Sequence, residues 1–277
     1  MNKLGVVHSG YHPIIPLGNR ICLRMMLDDY NKGNFLARRR CDYDDWAKYV
    51  YLDMRTYKQQ IEDAIKSDPK EIFLVIDPRG CDVKGMIDFT AFLKDYFRLA
   101  GYSGELIFSF VNESLERFSV SEVHNINRYM STFMKSWYNV SLAVGEMACN
   151  FFDYYRSFLR CDYSYDYISF HTDNACNVRT LRHFLEIFPG GTKFINNKHC
   201  FFYGSEKLGY NNLSIVRQFE SYTKYMLSNG RIKSIYVCMP YHTKGAGKYE
   251  FLGLNLVDTK SGKVYETVAW KVLKRYE

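Results

Sequence analysis

Apolar residues along the chain gather into two kinds of segment. The first is short: eight runs rich in β-branched and aromatic residues, at 4–8, 21–27, 72–76, 106–111, 141–144, 167–171, 193–196 and 232–239. Most show no strict polar alternation, which predicts strands buried on both faces, as in a parallel sheet covered by helices. The second kind repeats every three to four residues. Ser119-Val120-Ser121-Glu122 is a capping-box sequence, and Val123, Ile126, Met130, Phe133, Met134 and Trp137 follow it at helical spacing. Ile215, Phe219, Tyr222 and Met226 share a helical face ahead of Asn229-Gly230, a natural stop. Residues 57–66 and 86–100 predict two more helices, and 264–276 a closing one with Tyr265, Val268, Val272 and Tyr276 on one side. Eight strands alternating with helices predict an α/β fold, a single (β/α)8 TIM barrel over residues 1–277, in preference to an open doubly wound sheet. No G-x-G-x-x-G or G-x-x-x-x-G-K-[ST] sequence follows a strand, which further weakens the nucleotide-binding alternative.

Length agrees with this reading: 277 residues suit one closed barrel of roughly 250 residues. No Ser, Gly or Pro-rich linker and no internal repeat offers a boundary for a second domain. Hydrophobic residues at 47% and charged residues at 24% are those of a globular chain, which excludes disorder, collagen and coiled coil. Thirty-seven basic against 30 acidic side chains leave a charge of +7, which favours an anionic partner. The basic residues are mixed with acids and form no stripe, so nucleic acid is not expected as that partner. Eight scattered cysteines contain no C-x-x-C pair, which argues against a zinc knuckle; several sit inside apolar runs, which suits reduced, buried thiols, while the even count leaves a disulfide open. The N-terminus lacks the apolar core of an export signal, and no stretch reaches about 18 apolar residues, so a soluble chain without a membrane partner is expected and its compartment is left open. Aromatics at 17%, with 24 tyrosines, suit sugar or base stacking as well as barrel–helix packing.

In a TIM barrel the site lies where strands end, so the polar residues just after each apolar run carry the candidate chemistry. They are His8, Arg24 with Asp28, Asp77 with Arg79, Asn112 with Glu113, Glu146, His171 with Asp173, Asn196 to His199, and Tyr241 with His242. The long irregular segment 29–54, which holds Arg38-Arg39-Arg40 and Trp46, follows the second strand. Phe108-Ser109-Phe110-Val111-Asn112-Glu113 is the sharpest of these: it sets an amide and a carboxyl side by side after strand four. An amide there can bind a sugar hydroxyl while the carboxyl gives a proton to a glycosidic oxygen. Metal chemistry is the competing class, since His8, Asp77, Glu113, His171, Asp173 and His242 could meet in the barrel mouth. Without an H-x-H on strand one or paired ligand spacing, no metal and no cofactor is expected.

The order of these elements resembles the large clan of (β/α)8 glycoside hydrolases whose acid/base Glu follows an Asn at the end of strand four and whose nucleophile ends strand seven. Arg24 in Ile21-Cys22-Leu23-Arg24 resembles that clan's strand-two arginine, and Asp166 to His171 its sixth strand, where an imidazole or phenol lines the sugar site. The resemblance implies hydrolysis of O-glycosidic bonds of a polysaccharide or glycoconjugate. Glu113 would be the general acid/base, Asn112 and Arg24 would orient substrate, and Trp46, Asp77, His171, Asp173, Asn197, Tyr241 and His242 would line the site. At strand seven, where the resemblance calls for a nucleophilic Glu, the chain reads Lys193-Phe194-Ile195-Asn196-Asn197-Lys198-His199-Cys200, which puts Lys198 in that place. An ammonium cannot form a glycosyl ester. Three explanations follow: the second carboxylate comes from Glu206, Glu146 or Asp173; the barrel binds glycan without cleaving it, Lys198 adding charge for an acidic sugar; or position 198 carries a Glu-to-Lys change.

Overall fold

The computed structural model describes residues 3–8, 17–26, 57–77, 82–113, 115, 118–172, 177–199, 213–238, 241–243, 255–257, 264–266 and 268–277. Eight parallel strands close into a barrel in sequence order: β1 (Leu4–His8), β2 (Arg20–Met26), β3 (Glu71–Asp77), β4 (Glu105–Phe110), β5 (Val140–Ala148), β6 (Tyr167–Thr172), β7 (Lys193–His199) and β8 (Ile232–Val237). Each of the eight apolar runs becomes one strand. Around them stand α1 (Tyr57–Lys66), α2 (Val83–Leu99), α3 (Val120–Met134), α4 (Phe152–Ser157), α5 (Val178–Glu186), α6 (Leu213–Ser228) and α7 (Val268–Lys274).

Alternation along the strands divides the apolar residues into two cores. Val7, Cys22, Phe73, Val75, Ile107, Ala143, Ile195 and Tyr236 fill the barrel, while Leu74, Phe108, Ile168, Phe170 and Phe194 meet the helices outside it. The helix starts follow local chemistry. Ser119 and Glu122 form the capping box ahead of α3, and the Asp82 side chain accepts from Gly85 N at 2.7 Å ahead of α2. Cys22, Cys149 and Cys238 are buried free thiols and Cys161 a half-buried one.

The closing helix expected over 264–276 is corrected by the structure. Val264–Glu266 is instead a short strand (β11), antiparallel to β10 (Asn255–Val257), which pairs with β9 (Tyr241–Thr243). A β-branched and an aromatic residue in Val264-Tyr265 favour extended backbone. The helix begins only at Val268 and buries Trp270, Val272 and Leu273.

The end of the barrel where the strands begin is closed by an ionic layer. Glu71, 2% exposed, pairs with Arg20 and lies 3.5 Å from Lys233. It accepts from the hydroxyls of Ser234 and of Tyr236, the latter at 2.6 Å. Lys233 also pairs with Glu105 and donates to Tyr167 Oη at 2.8 Å. The opposite end, where the strands finish, is left for the site.

Candidate active site

After β4 the chain turns sharply, with Val111 at φ 70° and Glu113 at φ 49°. A β-branched residue in the left-handed region is a strained conformer that its surroundings must hold. Two backbone bonds hold it: Val111 N donates to Ile76 O and Glu113 N to Glu146 O, both at 2.9 Å. Arg24 Nη1 on β2 donates to Asn112 Oδ1 at 2.7 Å, so the arginine positions the amide beside Glu113.

Glu146 reaches the barrel interior through a β-bulge. The register between β5 and β6 shifts between Gly145 and Met147, with Gly145 at φ 128° and Glu146 at φ 62°. Ala143 faces inward and Met147 outward, so without the extra residue Glu146 would face the helices. Tyr154 Oη donates to Gly145 O and Tyr155 Oη to Met147 O, each at 2.6 Å, clamping the bulge from α4. A Cβ on Gly145 would stand 2.2 Å from Ser169 O, on top of an unfavourable φ. Gly145→Ala is therefore expected to cost about 2–3 kcal/mol, read as a lower urea midpoint; an unchanged midpoint would show that the bulge tolerates a side chain.

The Glu146 carboxylate is fully buried, and each of its oxygens accepts a hydrogen bond. Ser169 Oγ donates to it at 2.5 Å and Asn197 Nδ2 donates to its other oxygen, with His171 Nε2 at 3.5 Å. Burial pushes its pKa up, but His171, Ser169 and Arg24 more than offset this and hold it below the ordinary carboxylate value.

A second bulge sets the end of β7. Phe170 on β6 pairs with Asn196 and His171 with Lys198, which leaves Asn197 as the extra residue. Asn196 and His199 turn outward, Asn196 donating to Met226 Sδ and His199 stacking on Phe219 at 4.4 Å. Asn197 and Lys198 both turn inward. Cys200 lies outside the described residues.

Lys198 Nζ forms an ion pair with Glu113 Oε1, and His171 Nδ1 stands 3.8 Å from the same oxygen. Glu113 is 30% and Lys198 17% exposed, so both reach the barrel mouth. Burial raises the Glu113 pKa, but Lys198, with His171 and Arg24, outweighs it and brings the carboxyl down to about 2. His171 is buried between the two glutamates, and burial, with Lys198 and Arg24 adding to it, lowers its own pKa against the pull of Glu146.

Arg24, Asn112, Glu113, Glu146, His171, Asn197 and Lys198 are thus brought together from β2, β4, β5, β6 and β7. Asp77 closes β3 and is buried. Trp46, Asp173 and Glu206 lie outside the described residues, as do the side chains of Tyr241 and His242 on β9. Sequence reasoning missed Ser169, although the inward alternation of Tyr167, Ser169 and His171 carries its signal. It also missed the Tyr154–Tyr155 clamp, for which only the adjacency of the two phenols speaks. Among the described residues no group of three His, Cys, Asp or Glu is placed to hold a metal ion.

No family model matches the chain, and no curated protein sequence does. Solved structures do. Fpglu1 from Fervidobacterium pennivoraus superposes with a TM-score of 0.58 at 9% identity, over 93% of this chain and 80% of its own. The hyperthermophilic β-glucosidase from Pyrococcus furiosus gives 0.56 at 10%, over 94% and 81%. AbfB, a family 51 α-L-arabinofuranosidase from Bifidobacterium longum, gives 0.55 at 11%, over 92% and 63%. The likeness is one of fold. Glycoside hydrolases share this barrel, and the chemistry of this chain rests on its own residues.

Proposed function

We propose that this barrel binds carbohydrate, preferably an anionic glycan, in a glycosidase-like cleft and does not hydrolyse it by the two-carboxylate route. The observation that carries the reading is the Lys198–Glu113 ion pair. A general acid must hold a proton at the working pH, and a carboxyl brought down to about 2 holds none near neutrality. Lys198 offers no carboxylate for a glycosyl ester, and Glu146 is sealed from any substrate by its own hydrogen bonds. Binding groups remain in place: the Lys198 ammonium for a sugar carboxylate, and Asn112 and Glu113 for hydroxyls. Asp77, Asp173, Trp46, Tyr241 and His242 are the proposed walls. The Asn112–Arg24 bond at 2.7 Å favours a second reading, because it presents Glu113 as the acid/base of the resembling clan would be presented. Hydrolysis of O-glycosidic bonds would then take its second carboxylate from Glu206.

Glu113→Gln separates the two. In a binding barrel it frees Lys198 from its internal partner, and affinity for an oligogalacturonide is expected to rise several-fold by calorimetry, with no reducing ends released by either protein. Reducing ends released by the parent protein and lost in Glu113→Gln would establish hydrolysis instead.

A further inference from the structure

A cavity of about 500 Å³ lies between the chain after β4 and the start of α4. Leu115 on its wall is two residues from Glu113, at most about 7 Å of chain, and Asn150 follows Glu146 by four. The Glu113 N–Glu146 O bond joins the two segments, so the walls of the cavity are carried by the same two stretches of chain that carry Glu113 and Glu146. Its volume is that of a small-ligand pocket, in the range of about 300–1,000 Å³.

Phe151 gives this open cavity an aromatic wall. The neighbouring aromatics Tyr154, Tyr155 and Phe158 are buried, whereas Phe151 leaves 42% of its surface open. Its backbone is fixed, with Phe151 N donating to Ala148 O and Tyr155 N to Phe151 O, both at 3.1 Å. Val120 at the start of α3 is also exposed, and Asn150 with the Asp153–Arg156 pair, 2.7 Å apart, supplies polar groups on the same wall. An aromatic face bordered by an amide and an ion pair matches a sugar ring, which has an apolar C–H face and a rim of hydroxyls.

We propose that this cavity is a second sugar subsite, so that the ligand is an oligosaccharide running from the Glu113–Lys198 centre across Phe151 rather than a single sugar. The inference rests on the glycan-binding reading above and deepens it.

Calorimetry with galacturonic acid and its linear tetramer tests this, together with methyl NMR signals of Leu115 and Val120. The tetramer is expected to bind at least ten-fold more tightly than the monomer and to shift both methyl signals. Phe151→Ala is expected to collapse that ratio to less than three-fold, and Arg156→Ala to reduce it. Equal affinities for monomer and tetramer, or a ratio untouched by Phe151→Ala, would overturn the subsite. If neither sugar binds at the centre, the glycan reading falls separately. Methyl shifts with the tetramer would then mark a sugar site at Phe151 that is not joined to the centre, which overturns the continuous ligand proposed here, as would their absence.

Discussion

If the barrel binds glycan without cleaving it, Lys198→Glu is expected to bring measurable glycosidase turnover, the largest change any single substitution should bring. Lys198 Nζ touches Glu113. A glutamate side chain is one bond shorter than a lysine, so a carboxylate at 198 would draw back from that contact, toward the separation of roughly 5 Å that retaining glycosidases use. The charge effect works the same way. Glu113 now faces an ammonium that brings it down to about 2; a like charge at that distance disfavours ionisation and raises it, while burial, already pushing upward, is no longer opposed by Lys198. One substitution therefore supplies the nucleophile and restores a proton to the acid. Reducing-end release from an oligosaccharide panel should appear with a bell-shaped pH profile, its basic limb set by Glu113. Lys198→Met is the control: Glu113 should titrate higher there too, observed by carboxyl NMR, yet no hydrolysis should follow because no nucleophile is present. A folded Lys198→Glu protein that stays inactive while Glu113 still titrates below about 4 would sink the account.

Lys198 also shows where the sequence could be read and where it could not. The eight strands were legible because a strand buried on both faces must be apolar throughout, and the α3 start because a capping box is a local hydrogen-bond pattern. Which side chains enter the barrel was not legible, because facing follows strict alternation only until an extra residue intervenes. Counting from Ala143 by twos would turn Glu146 toward the helices, and counting from Ile195 would do the same to Lys198. The two bulges bring both inward. Gly145 is the single local hint of the first, and its partner Ser169 belongs to another strand. The second, at Asn197, has no local marker, since any residue can be the extra one in that conformation. The closing segment failed for a different reason: Tyr265, Val268 and Val272 fit a helical period, but the backbone around Val264 is held extended by its antiparallel pairing with β10, which lies just upstream of the segment whose period was read.

Glu71→Leu is expected to cost about 3–5 kcal/mol of folding stability, as removal of one partner of a buried ion pair does. Glu71 is 2% exposed and Arg20 6%, so a buried guanidinium would lose its carboxylate and keep only neutral contacts such as Ser234 Oγ at 3.0 Å. Lys233 would keep Glu105, but Ser234 and Tyr236 would lose the acceptor they share. The double variant Arg20→Met/Glu71→Leu should recover much of the loss, because an apolar pair of similar volume removes the stranded charge along with its partner. The same carboxylate also sets part of the acid limb of stability. Burial raises the Glu71 pKa, yet Arg20, Lys233 and the two hydroxyls hold it below the ordinary carboxylate value. A depressed folded-state pKa contributes stability that is fully present above the unfolded value of about 4.3. That contribution is lost as pH falls from there through the folded value. Urea unfolding between pH 7 and 3 should accordingly show a shallower acid decline in the double variant than in the parent protein. Equal slopes, or a single Glu71→Leu variant within about 1 kcal/mol of the parent at neutral pH, would mean that the ionic layer is hydrated and does not hold the base of the barrel together.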